Sequence, residues 1–102
     1  MDFLPVPGTS IWDLDTPTLL LDLEILEQNI ETVHSFYRTR EAKVRSVTKG
    51  HKCPAIAQIQ MTADGAVQYG LSCAKVSEAE VMAQAGAKHI RMIEQVVGAP
   101  KV

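Results

Sequence analysis

From Leu23 to Tyr37 the apolar positions recur at helical spacing. Leu26, Ile30, Val33 and Tyr37 step 4-3-4 along the chain, and Leu23 and Phe36 widen the stripe. This pattern predicts an amphipathic helix over 23–38. Asp22 stands where an N-cap belongs, and Glu24 suits the positive end of the helix. His34 lies beside the stripe and reads as a packing or surface histidine rather than a ligand. Ahead of the helix, Thr16-Pro17 sets an extended start. The continuous apolar run Thr18-Leu19-Leu20-Leu21 then predicts a short strand buried on both faces. Residues 1–15, with Pro5, Pro7, Gly8 and Trp12, read as an irregular lead-in in which Asp13 and Asp15 are solvated.

After a polar turn from Thr39 to Lys43 the rhythm changes. A short β-branched run leads to Lys49, Gly50-His51 breaks it, and Cys53-Pro54 opens a helix that ends near Gly65. Alternation puts Arg45, Val47 and Lys49 on one face of the strand and Val44, Ser46 and Thr48 on the other. Ala66 to Cys73 reads as a second strand, loosened by Gly70. Ser77-Glu78-Ala79-Glu80 reads as a capping box, stapled by Val76 and Val81. That helix stops at Gly86. His89 to Ile93 makes a third strand, followed by the turn-prone Gly98-Ala99-Pro100. Strand and helix alternating every two dozen residues or so is the rhythm of βαβ units on a parallel sheet. Right-handed crossovers would then gather Lys49-Gly50-His51, Cys73-Ala74-Lys75 and Glu94-Gln95 on one rim, with free N–H groups of a helix start aimed at it.

Composition narrows the classes. With 102 residues, a net charge of −2 and 46% hydrophobic content, the chain is one ordinary domain at most. A closed β/α barrel needs about 250 residues. No Lys/Arg cluster suggests nucleic acid, and no apolar run approaches the ~18 residues of a membrane span. Met1 to Pro5 has neither a basic nor an apolar leader segment. Cys53 and Cys73 fall in no metal-type spacing, which points to free thiols and a cytoplasmic setting.

The chemistry centres on Lys49. Strand C-terminal ends carry the reacting groups in alternating β/α folds. An amine placed there and walled by apolar neighbours is suited to form an imine with an aldehyde. The competing reading is a solvated surface lysine. His51 could bond near the same centre or simply position a loop. Arg45 could bind an anionic group beside Lys49 or pair with a carboxylate. Lys52 and Lys75 read as solvated or carboxylate-paired, the two cysteines as packing residues, and Met61, Met82 and Met92 as core filler.

Several segments in order resemble the N-terminal part of the D-threonine aldolase and D-serine dehydratase family of pyridoxal-phosphate enzymes. They are Leu14-Asp15-Thr16-Pro17, Leu20-Leu21-Asp22-Leu23 and Glu27-Gln28-Asn29-Ile30, then Lys49-Gly50-His51-Lys52-Cys53-Pro54-Ala55-Ile56-Ala57, Cys73 to Val81, and Val96-Val97-Gly98. The resemblance implies the first part of a (β/α)8 alanine-racemase-like barrel over 23–102. Residues 1–22 would be a lead-in plus a strand of a β-rich second domain. It implies that Lys49 holds pyridoxal 5'-phosphate, with His51, Arg45 and Gln95 as further cofactor-binding candidates.

The resemblance also implies a lyase, aldolase or dehydratase, acting on small β-hydroxy D-amino acids. The phosphate-binding loops, the partner of the pyridine nitrogen and any divalent-metal ligands would come from sequence beyond Val102, and a homodimer is compatible with the family. The chain departs from the family at Ser46-Val47, where Pro-His is usual, at Gly50, where Thr is common, and at Glu94, where Asn is usual. Other readings are a non-catalytic pyridoxal-phosphate-binding barrel, an amino-acid racemase, or an inactive truncation product.

Overall fold

The computed structural model describes residues 4–101; Met1 to Phe3 of the lead-in and Val102 lie outside the described residues. Three helices and three strands follow one another: α1 (Leu23–Arg38), β1 (Val44–Val47), α2 (Pro54–Thr62), β2 (Ala66–Cys73), α3 (Val76–Gln84) and β3 (His89–Met92). Short 3-10 turns at Ile11–Asp13 and Ala99–Lys101 flank them. All the strand pairings are parallel, in the order β1-β2-β3, so the sequence-predicted rim exists.

The predicted helix over 23–38 forms with those bounds. The Asp22 carboxylate accepts the Ile25 N–H at 3.1 Å, which satisfies one of the unpaired donors at its start. Its stripe is only partly used: Ile30 is buried, with His34 beside it, and Leu26 and Tyr37 are half-buried, whereas Leu23, Val33 and Phe36 stay exposed. His34 is a packing histidine. Its Nδ1 donates to the Ile30 carbonyl at 2.8 Å. The helix docks through its last turns on the corner between α2 and β2, where Arg38 meets Asp64 at 3.0 Å. Gly65 (φ +101°) turns that corner so close to α1 that a Cβ would sit 2.3 Å from the His34 carbonyl oxygen.

One face of the sheet carries the core. Leu71 and Cys73 of β2 lie against Ala57 and Met61 of α2 and Met82 of α3, with Ile90 and Met92 of β3 packed beside them. The methionines therefore fill the core as the sequence suggested. The opposite face presents Arg45, Val47, Gly70, His89 and Arg91. Arg45, Val47, His89 and Arg91 on that side range from half-buried to exposed. β1 and β2 do not run in simple register: Val44 pairs with Ala66, but Ser46 pairs with Leu71. β2 therefore bulges between those points, with Tyr69 at φ +57°.

Two expectations are corrected. Thr18 to Leu21 forms no strand, and Leu19, Leu20 and Leu21 are 100%, 61% and 61% exposed. An apolar run becomes a strand only where a neighbour supplies ladder partners, and among the described residues none does. The second concerns α3, which starts at Val76 with Lys75 as N-cap, two residues ahead of the predicted Ser77 cap. Glu78, not Glu80, is its capping carboxylate. This shift also removes Val76 and Val81 from staple positions, and Val81 is 46% exposed.

Candidate functional site

Three loops meet at the C-terminal ends of the strands, and β1 feeds the most structured of them. Thr48 follows the strand directly and is fully buried. Its N–H donates to the Ser72 carbonyl at 3.0 Å, extending the parallel ladder one step past β1. Its hydroxyl donates a short bond to Glu78 Oε1, with Cys73 Sγ 3.4 Å away. Its carbonyl accepts the Lys52 N–H at 2.8 Å and so closes a tight turn over Lys49, Gly50 and His51. Lys52 completes that turn at φ +49°, and its Nζ donates to the Lys49 carbonyl at 3.1 Å.

Lys49 is thus the first residue of the chain to leave the pinned ladder. It projects at the rim and is exposed rather than walled by apolar side chains, which corrects the expectation of a shielded amine. The described residues supply a sheet end and one helical layer, and no apolar wall stands around it. A Cβ on Gly50 would meet nothing within 4 Å, so the space next to the lysine is open on that side.

His51 is held with both ring nitrogens engaged. Nδ1 accepts the Cys53 N–H at 3.0 Å, which leaves Nε2 as the protonated nitrogen donating to Gln60 Oε1 at 3.1 Å. The side chain therefore ties the lysine turn to α2, as the loop-positioning reading supposed. Arg45 reaches across Gly70 to the His89 carbonyl at 2.9 Å, so it meets a backbone acceptor rather than a carboxylate and straps the three strands. Gly70 makes this crossing possible: a Cβ there would stand 2.9 Å from Arg45 Nη1. Gln95 is separate from this group. It lines an open groove of about 710 Å³ with Lys75, Glu80 and Glu94, between the end of β3 and the start of α3. A second hollow of about 280 Å³ lies between Lys52, Lys75, Glu78 and Val81.

Glu78 is the residue that sequence reading missed. It is buried, and besides Thr48 it accepts the Ala74 and Lys75 N–H groups at 3.0 and 3.4 Å through Oε2. Burial pushes its carboxyl up, but the bonds from Thr48, Ala74 and Lys75 together with nearby Lys52 outweigh that and hold it below the usual carboxylate value. Local pattern pointed to the other register, because Ser77 is a preferred N-cap with Glu80 at its N3, whereas Lys75 has no acceptor to cap with. Cys73 is buried in the core and burial pushes its thiol up; both cysteines are free thiols. Among the described residues no cluster of His, Cys, Asp and Glu is arranged to hold a metal ion. No helix among them is long and apolar enough to cross a membrane.

The described residues thus form a parallel β/α unit with a lysine just past the C-terminal end of its first strand. No protein-family model matches the chain. It is similar to a D-threonine aldolase of an Arthrobacter species, 35% identical over 94% of this chain and 24% of the relative. It is equally similar to the 3-hydroxy-D-aspartate aldolase of Paracoccus denitrificans, 35% identical over 93% of this chain and 24% of that protein. The crystal structure of D-threonine aldolase from Filomicrobium marinum superposes with a TM-score of 0.80 at 45% identity, covering 89% of this chain and 24% of the other. The resemblance drawn from the motifs to the D-threonine aldolase and D-serine dehydratase family therefore stands on its aldolase side, these relatives all being named aldolases, and the chain spans about a quarter of their length.

Proposed function

We propose that the chain is the cofactor-lysine portion of a pyridoxal-phosphate-dependent lyase that cleaves small β-hydroxy D-amino acids, with Lys49 as the covalent anchor. The observation that carries this reading is the placement of Lys49. It is the first residue past a ladder pinned by Thr48, at a strand end, in a fold shared with a D-threonine aldolase. D-threonine and 3-hydroxy-D-aspartate, named in the relatives, share a D-configured α-carbon with a hydroxyl on the next carbon. Retro-aldol cleavage between those carbons is the reaction that this shared group permits. Dehydration, racemisation and a non-catalytic binding role use the same lysine and are the lesser readings.

The residues present fit the aldehyde of the cofactor. The Lys49 amine is reachable, and Gly50 leaves room beside it. When bound, pyridoxal phosphate supplies an electron sink for the carbanion left by bond cleavage. The chain's own residues hold the anchor. Thr48 fixes the backbone below Lys49, and His51 ties its turn to α2. A divalent metal and a dimer partner are further parts of the proposal, with ligands and contacts outside this chain.

The test is borohydride trapping of the chain with pyridoxal phosphate, followed by peptide mapping. The label is expected on Lys49 in large excess over Lys52 and Lys75. Label on either of those lysines instead would overturn the assignment.

A further inference from the structure

We propose that Thr48 and Glu78 are positioning residues that aim Lys49, acting as a latch between the end of β1 and the start of α3. The inference deepens the reading of Lys49 as cofactor anchor and rests on it. Its basis is the way hydrogen bonds converge on the residue before the lysine. Thr48 has 0% exposure, and its N–H, hydroxyl and carbonyl each have a partner, on Ser72, Glu78 and Lys52. A threonine there for packing alone would need no carboxylate.

A buried carboxylate is the more telling half. Removing one from water is costly unless its lone pairs are filled. Here one oxygen takes the Thr48 hydroxyl and the other takes two backbone N–H groups from the loop after β2. Glu78 therefore joins two of the three rim loops at once. It is charge-complemented by Lys52, the residue that closes the Lys49 turn. The Lys52 ammonium is engaged on the Lys49 carbonyl. The same latch thus holds the neighbouring amine back while leaving Lys49 free to project.

Three substitutions separate aiming from folding. Thr48→Ser keeps the hydroxyl, Thr48→Val keeps the shape and deletes it, and Glu78→Gln keeps an acceptor for Thr48 but loses the charge and the second acceptor. The readout is the ratio of borohydride-trapped pyridoxal phosphate on Lys49 to that on Lys52, in the full chain, with circular dichroism as the fold control. The ratio is expected to stay within about twofold of wild type in Thr48→Ser and to fall about tenfold in Thr48→Val and Glu78→Gln.

A folded Thr48→Val chain with the wild-type ratio would overturn the latch and leave the Lys49 assignment intact. A wild-type chain labelled evenly on both lysines would sink the assignment before any variant is made. Hydrogen exchange in the wild-type chain needs no variant. The Lys52 amide is expected to be protected like the amides of β2, and exchange at the rate of an open chain would overturn the latch on its own.

Discussion

Glu78 shows how a single side chain makes stability depend on pH. Its carboxyl is held below the ordinary value of 4.5, so the folded chain binds its proton less readily than the unfolded chain does. The stabilisation is fully present above that ordinary value and is lost as pH falls through the lowered folded value. Urea midpoints measured from pH 7 downward are expected to drop in that acid window. Glu78→Gln should be less stable by about 1–2 kcal/mol at neutral pH, from lost hydrogen bonds to a charged acceptor. That difference should vanish in acid, where wild-type Glu78 is also uncharged. A constant gap between the two chains across the whole range would contradict the account. A second residue-scale expectation concerns the thiols. Cys73 has 0% exposure and a thiol raised by burial, whereas Cys53 is half-buried at the start of α2. Alkylation at neutral pH should modify Cys53 first, and Cys73 only on unfolding. Equal rates in the folded chain would mean that β2 is not the closed core strand described here.

At the scale of elements, the corner between α2 and β2 seats α1 on the rest of the fold. Gly65 combines a left-handed backbone with a carbonyl of α1 where a side chain would go. Gly65→Ala should therefore strain the corner and push α1 off, costing about 1–3 kcal/mol in unfolding experiments. A neutral result would show that α1 is not seated on it. The sequence made the helices and β2 legible because 3.6-residue periodicity, a proline at the start of α2 and glycines at the ends are local signals. The strand ends were legible too, and with them the position of Lys49 at the rim, though not its exposure. What stayed hidden depends on contacts distant in sequence. Local pattern favours Glu80, three residues after Ser77; Glu78 is selected instead by Thr48, thirty residues earlier, offering its hydroxyl. Likewise Leu19 to Leu21 have the composition of a buried strand, but burial requires a partner that local pattern cannot supply. Arg45 was left open between two roles because its acceptor, the His89 carbonyl, is a backbone atom that no sequence pattern marks.

As a whole this chain is a slab rather than a ball, with extents of 45 × 41 × 19 Å and a radius of gyration of 16.3 Å. A compact domain of this length would have a radius of gyration near about 13 Å. The thin dimension follows from the architecture: α2 and α3 cover one face of the sheet, while the face below Lys49 carries Arg45, Val47, His89 and Arg91 half-buried or open to water. Covalent capture of an aldehyde and cleavage of a carbon–carbon bond make different demands on such a surface. Capture needs a reachable amine, which Lys49 provides. Cleavage also needs a substrate held in one orientation and water kept away from the charge that develops, and orientation alone can supply about 7–11 kcal/mol of a barrier. An open face provides neither. The purified 102-residue chain is therefore expected to take up pyridoxal phosphate at Lys49 while leaving D-threonine uncleaved. Absorbance of the trapped adduct and a glycine-release assay on one preparation would measure both. Cofactor-dependent release of glycine above the rate of free pyridoxal phosphate would refute the expectation. It would show that this face closes in solution, by association of copies or by folding of the apolar 19–21 segment across it.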